Sequence, residues 1–137
     1  MTHPTNLAVC TADRLCYALS MTNGLRLRLA FFKTEGGREP VREWLLSLPD
    51  TKRQTIGTDL LDVQYSWPIG MPLVRKLNAD LWEVRSHLGD RIARVLFTIE
   101  ESTLVALHGF IKKSQRTPKD DLDLTKKRLQ LLQRRRK

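Results

Sequence analysis

The sequence predicts an α+β domain: a small antiparallel sheet built from one strand, two helices and a three-stranded meander, closed by a C-terminal helix. Three observations carry the prediction. Residues 25–32 read Leu-Arg-Leu-Arg-Leu-Ala-Phe-Phe, alternating apolar and basic with the two-residue period of a half-buried strand. Three runs between residues 81 and 111 are rich in Val, Ile, Leu and aromatics, and the breaks between them are short enough for hairpins. Before and after that meander, apolar residues recur at helical spacing within segments bounded by Pro.

In chain order, Gly36 and Gly37 break the first strand. Pro40 suits the first turn of a helix in which Val41, Trp44, Leu45 and Leu48 fall at i, i+3, i+4 and i+7. Pro49 ends that helix. Asp50 or Thr51 can cap a second one, whose Ile56, Leu60 and Val63 share a face until Trp67-Pro68 stops it. Residues 66–80, with Pro68, Gly70 and Pro72, read as a loop delivering Arg75 and Lys76 to the edge of the meander. The meander strands fall at 81–87, 91–99 and 103–111, turning at Gly89-Asp90 and Glu101-Ser102. Thr117-Pro118 begins the last helix, with Asp120, Asp121 and Asp123 in its first turns and Arg134, Arg135, Arg136 and Lys137 at its end. Both ends match the macrodipole, and Leu122, Leu129 and Leu132 form its buried stripe.

A chain of 137 residues has room for one hydrophobic core. Its 41% hydrophobic and 28% charged composition excludes disordered and collagen-like classes. Residues 1–23 lack a clear period and hold one acid, Asp13, and one base, Arg14; they read as a flexible N-terminal extension, dispensable for folding. The whole net charge of +9 therefore belongs to a domain at 24–137, and it favours polyanionic partners, nucleic acid first. No apolar run approaches the roughly 18 to 20 residues that span a bilayer, and no signal-peptide pattern opens the chain, so the expectation is a cytoplasmic protein without membrane contact. Cys10 and Cys16 lie in the extension and support no disulfide framework. With His3 they have unusual spacing for a metal, and the expectation is neither metal nor cofactor.

The chemistry-bearing residues concentrate on the meander. A two-residue turn at Gly89-Asp90 pairs Leu88 with Arg91 and therefore Arg85 with Arg94 on one sheet face. In the next hairpin a three-residue loop would set Arg94 opposite His108, whereas a two-residue loop would set it opposite Gly109. The other face of the central strand, with Ala93, Val95, Phe97 and Ile99, is core material. Like charges opposed on a sheet repel, so an Arg row is a local cost that points to function. Glu83 and His87 lie on Arg85's side, and Glu83 can offset part of the repulsion as an ion pair; a solvated charged face is the plain alternative. The stretch from His108 to Pro118 adds Lys112, Lys113 and Arg116 at the strand-to-helix junction. Such a cluster can clamp phosphates, stabilise a phosphorane-like transition state and move a proton. RNA needs little more, because its own 2′-hydroxyl can serve as the nucleophile. No Walker loop, Gly-x-Ser-x-Gly motif or reactive Cys/His pair occurs.

The order strand, two helices, meander and C-terminal helix resembles the RelE/ParE toxin superfamily. The stretches Gly37-Arg38-Glu39-Pro40-Val41, Pro72-Leu73-Val74-Arg75-Lys76-Leu77, Leu81-Trp82-Glu83-Val84-Arg85, Ile92-Ala93-Arg94-Val95-Leu96-Phe97 and His108-Gly109-Phe110-Ile111-Lys112-Lys113 are similar to its phage-derived HigB-like branch. The resemblance covers about residues 25–132 and is specific in combination. It implies a RelE-like fold and the toxin of a type II toxin-antitoxin system: a metal-independent, ribosome-dependent endoribonuclease that cuts translated mRNA and is neutralised by a cognate antitoxin, a helix-turn-helix protein. It also implies the roles. Arg85 and Arg94 match the two strand arginines associated with phosphate contact and transition-state stabilisation. His108, Lys112 and Lys113 occupy the C-terminal catalytic motif. Arg75, Lys76, His87 and Arg116 are expected to bind RNA. RelE has a catalytic Tyr near its C-terminus, whereas the tyrosines here are Tyr17 and Tyr65, outside the meander. Two alternatives stand beside the nuclease: a gyrase-directed ParE-like toxin, and a non-catalytic nucleic-acid-binding module.

Overall fold

The computed structural model describes residues 24–113 and 116–135. The expectations for residues 1–23, including Cys10, Cys16 and His3, lie outside the described residues. The chain forms β1 (Arg28–Phe31), α1 (Pro40–Ser47), α2 (Asp50–Ser66), β2 (Val74–Asn78), β3 (Leu81–Leu88), β4 (Arg91–Glu100), β5 (Thr103–Lys112) and α3 (Lys119–Arg135).

The strands make a single sheet in the order β1-β5-β4-β3-β2. It is mixed, which corrects the expectation of an antiparallel sheet: β1 runs parallel to β5, with Arg28 opposite Thr103 and Phe31 opposite Ala106. A parallel pair needs a long crossover, and everything between β1 and β5 supplies it. β1 is also shorter than the alternation suggests. The N–H groups of Arg26 and Leu27 donate to the Gln64 carbonyl at 2.8 and 3.1 Å, so the first residues of the pattern fasten to the end of α2 instead of to a strand. Buried Gln64 completes the clamp by donating from Nε2 to the Leu27 carbonyl at 3.1 Å.

A second correction falls in 66–80, expected as a loop. Its last part is the edge strand β2, with Val74 opposite Val84, Arg75 opposite Glu83 and Lys76 opposite Trp82. Pro68, Gly70 and Pro72 all precede the strand. Pro40 opens α1 as expected, but the cap of α2 is Pro49, and Asp50 is the first helical residue, paired with Arg53.

Helices α1 and α2 cover one face of the sheet. Val41 and Leu45 from α1 and Ile56, Leu60 and Val63 from α2 pack with Val84, Ala93, Val95 and Phe97. Fully burying such side chains stabilises by about 1.5–3 kcal/mol each. Gly109 sits where Trp44 of α1 crosses β5; a Cβ there would lie 2.4 Å from the indole ring, so only glycine admits that helix. Helix α3 covers part of the opposite face, where Leu129, with Leu122 and Leu132 beside it, meets Phe32, Leu81, Val105 and Leu107. Arg128 donates to the Leu107 carbonyl at 2.7 Å and Arg135 to the Lys33 carbonyl at 2.6 Å, tying α3 down. Among the described residues, no helix is long and apolar enough to cross a membrane.

Candidate nucleic-acid interface

The β3-β4 hairpin follows the two-residue register: Leu88 pairs with Arg91 and Arg85 with Arg94. Gly89 takes φ +67° in the turn, where a glycine enters the left-handed region without steric cost. The β4-β5 hairpin also has a two-residue turn, with Glu101 and Ser102 at φ +46° and +63° and Glu100 opposite Thr103. A register shift between Leu96 and Phe97 then adds one residue on β5. Leu96 faces His108 and Arg94 faces Phe110, so neither expected partner of Arg94 is its partner. His108 still shares Arg94's face, one step along the sheet.

That face is not an open cationic row. Arg94 and Glu83 are fully buried, and Arg85 is 9% exposed. A charge taken out of water needs a counter-charge, and the Arg94 Nη1 lies 3.7 Å from the Glu83 Oε1. The Thr117 hydroxyl, just before α3, donates to the Glu83 carboxylate at 3.0 and 3.2 Å from its two oxygens. Burial pulls the Arg94 guanidinium below its ordinary range; Glu83 opposes that, and the neighbouring cations Arg85 and Arg75 reinforce it. The group remains protonated, as guanidinium always does in proteins. On sequence grounds Glu83 is a partial offset to the repulsion; in the fold it is the buried anion between the arginines and the C-terminal segment.

The second centre of the face is Asp121, in the first turns of α3. The His108 Nε2–H donates to the Asp121 Oδ1 at 2.7 Å, and the Lys112 ammonium donates to Oδ2 at 3.2 Å. Burial is the largest influence on His108 and lowers its pKa; Asp121 pulls the other way, while Arg128 and Lys112 add to the lowering. The imidazole is therefore neutral at neutral pH, with Nε2 protonated toward the carboxylate. Burial tends to raise the Asp121 pKa, but hydrogen bonds from His108 and Lys112 outweigh it and hold the carboxyl below its usual range. Sequence reasoning misses this role of Asp121 and assigns the residue to the macrodipole. The available signal is an acidic cluster, Asp120, Asp121 and Asp123, inside an otherwise basic C-terminal stretch.

The remaining predicted residues divide. Arg75, opposite Glu83, and exposed His87, opposite Ile92, lie on the arginine face. Exposed Arg116 precedes α3 beside Thr117. Two leave the cluster. The Lys113 ammonium pairs with Asp90 at the hairpin turn, 3.3 Å away. Lys76 pairs with Trp82 on the helix-covered face, its ammonium 5.9 Å from the ring centroid. What remains together is a buried Arg94-Glu83 pair, a nearly buried Arg85, the His108-Asp121-Lys112 set, and a rim of Arg75, His87 and Arg116. This arrangement can bind a phosphodiester at the rim, offset growing negative charge from Arg85, and present a neutral imidazole. Among the described residues, no group of three or more His, Cys, Asp or Glu side chains is placed to hold a metal ion.

A family model described as phage derived protein Gp49-like matches residues 43–130. A comparison with curated proteins finds no significant match. Among solved structures, the crystal structure of the archaeal RelE-RelB complex from Pyrococcus horikoshii OT3 contains a similar chain. It is 16% identical with a TM-score of 0.40, and the match covers 67% of this chain and all of that one.

Proposed function

The chain belongs to the phage-derived Gp49-like protein family, and from that membership and the site geometry we propose that it is the toxin of a type II toxin-antitoxin system, a ribosome-dependent endoribonuclease of the RelE/HigB type. The motif resemblance over residues 25–132 supports the same reading. One observation carries it: Arg85 stands beside a buried Arg94 on the face where a neutral imidazole and an ammonium converge.

In this reading the domain is residues 24–137, with 1–23 as an extension, and mRNA in the ribosome is the substrate. The ribose 2′-oxygen attacks the adjacent phosphorus as the bond from phosphorus to the 5′-oxygen breaks. His108 accepts the 2′-hydroxyl proton on Nδ1, the nitrogen that carries the lone pair when Nε2–H is given to Asp121. Lys112 returns a proton to the leaving 5′-oxygen. Arg85 meets the phosphoryl oxygens, and Arg94, too buried for direct contact, contributes its charge through a low-dielectric path. No metal is required for this chemistry. Arg75, His87 and Arg116 hold the flanking phosphates, and Lys113 contributes at the edge. A cognate antitoxin, a helix-turn-helix protein, neutralises the toxin in the cytoplasm.

One observation favours the non-catalytic binding module instead: Asp121 engages both groups assigned to proton transfer. Single-turnover cleavage of ribosome-bound mRNA, measured beside binding affinity for Arg85→Ala, Arg94→Ala, His108→Gln, Lys112→Met and Lys113→Met, separates the two. The nuclease reading expects Arg85→Ala to slow cleavage by about 10²- to 10³-fold, with a smaller loss of binding. Proportional losses across all five variants would reduce this face to a docking patch. Cleavage of mRNA without translation would overturn ribosome dependence.

A further inference from the structure

On the sheet face opposite the arginines, a cavity of about 440 Å³ opens between the end of α2 and the edge strand β2, lined by Trp67, Pro68, Ile69, Val74, Lys76 and Trp82. Trp67 meets Trp82 edge-on, at 5.3 Å between centroids and 86° between planes. Phe97 stacks on Trp82 from within, at 6.0 Å and 20°. The two indoles, each half-buried, thus present a rigid aromatic corner. The volume falls within the range of small-ligand sites.

Charge selects the occupant. Among the described residues, no acidic side chain lines the cavity, and Lys76 hangs over the Trp82 ring at its margin. On the Trp67 side, the exposed Arg26 guanidinium donates to the Trp67 carbonyl at 3.3 Å. A cationic ligand would have to displace an ammonium within a chain of net charge +9. A planar base with an attached phosphate fits instead. It exchanges a solvent-exposed cation–π contact for base-on-indole stacking, the stronger of the two, and frees the long Lys76 side chain to reach the phosphate.

We propose that this cavity is a stacking pocket for one unpaired RNA nucleotide, the base against Trp67 and Trp82 and the phosphate on Lys76. The proposal rests on the RNA-directed reading of the protein, and it places a second RNA contact on the face away from the cleavage cluster. It also gives Lys76 a role there, although that residue lies apart from Arg75, Arg85 and Arg94.

The test uses the full chain and two probes, adenosine monophosphate and a single-stranded RNA pentamer, read by tryptophan quenching and by fluorescence anisotropy. Lys76 is exposed, so Lys76→Glu preserves packing; it is expected to weaken the pentamer at least about fivefold and to abolish quenching by the mononucleotide. Trp67→Phe keeps an aromatic ring and is expected to weaken both probes less than Lys76→Glu does, while Lys76→Arg restores them. Arg85→Ala is expected to leave mononucleotide quenching unchanged. If Arg85→Ala removes the quenching and Lys76→Glu does not, the nucleotide binds on the arginine face and the pocket is refuted while the nuclease reading stands. If neither probe binds and an acidic peptide quenches instead, the pocket takes protein and the proposal falls. Cleavage of mRNA by the Arg85→Ala variant, measured in parallel, tests the nuclease separately from the pocket.

Discussion

Replacing Glu83 by Gln removes one charge from the sheet interior while changing almost nothing in shape. The Gln carbonyl can still accept the Thr117 hydroxyl, so the substitution isolates the electrostatic contribution. At the 3.7 Å separation of the Glu83 and Arg94 groups, Coulomb's law with an effective dielectric near 20 gives an attraction of about 4–5 kcal/mol. Removing one member of a buried pair generally costs about 3–5 kcal/mol, because the other charge stays behind without its counter-charge. We therefore expect Glu83→Gln to destabilise the fold by about 3 kcal/mol. For a domain of this size that corresponds to roughly 10 °C in Tm. Urea unfolding followed by circular dichroism measures the loss. The companion variant is Glu83→Gln with Arg94→Met, which removes the remaining buried cation as well; it should recover at least half of the lost stability despite carrying two substitutions. A loss under about 1 kcal/mol for Glu83→Gln, or a double variant no more stable than the single one, would refute the reasoning. Arg94 would then draw its stability from elsewhere.

Three further outcomes rest on the same geometry. Gly109→Ala drives a methyl group into the Trp44 ring and should lower stability by about 1–3 kcal/mol, seen as a falling Tm; an unchanged Tm would contradict the close approach. Stability should decline in two steps as the solution is acidified. His108 is depressed in the fold, so below its unfolded value near 6.5 the unfolded chain takes up a proton that the folded chain refuses. Asp121 is depressed below 3.8, so its contribution, present at higher pH, disappears as pH falls through that lower range. Unfolding free energy measured from about pH 8 to about pH 3 should show both steps; His108→Gln should abolish the first and shrink the second, because His108 helps hold the Asp121 carboxyl low. Asp121→Asn removes the carboxylate that supports protonation of His108, so the His108 imidazole resonance should titrate at still lower pH in NMR; an upward shift would contradict the assigned contact.

The residues that declare themselves in the sequence do so through short-range periodicity. Alternation over 25–32 announces a strand. Val41, Trp44, Leu45 and Leu48 announce α1, and the length of the Gly89-Asp90 turn is enough to set Arg85 opposite Arg94. Each of these follows from contacts between residues near in sequence, where backbone period and turn length leave little choice. The family resemblance likewise rests on local stretches. Only the tertiary structure decided the parallel pairing of β1 with β5, the recruitment of 74–78 as an edge strand, and the extra residue on β5 that set Arg94 opposite Phe110. It alone put Arg94 and Glu83 out of water and turned Asp121 toward His108 and Lys112. Those features depend on which distant segment arrives to cover a face. A charged side chain reads the same in the sequence whether it meets solvent or helix α3, because burial is a property of the packed chain.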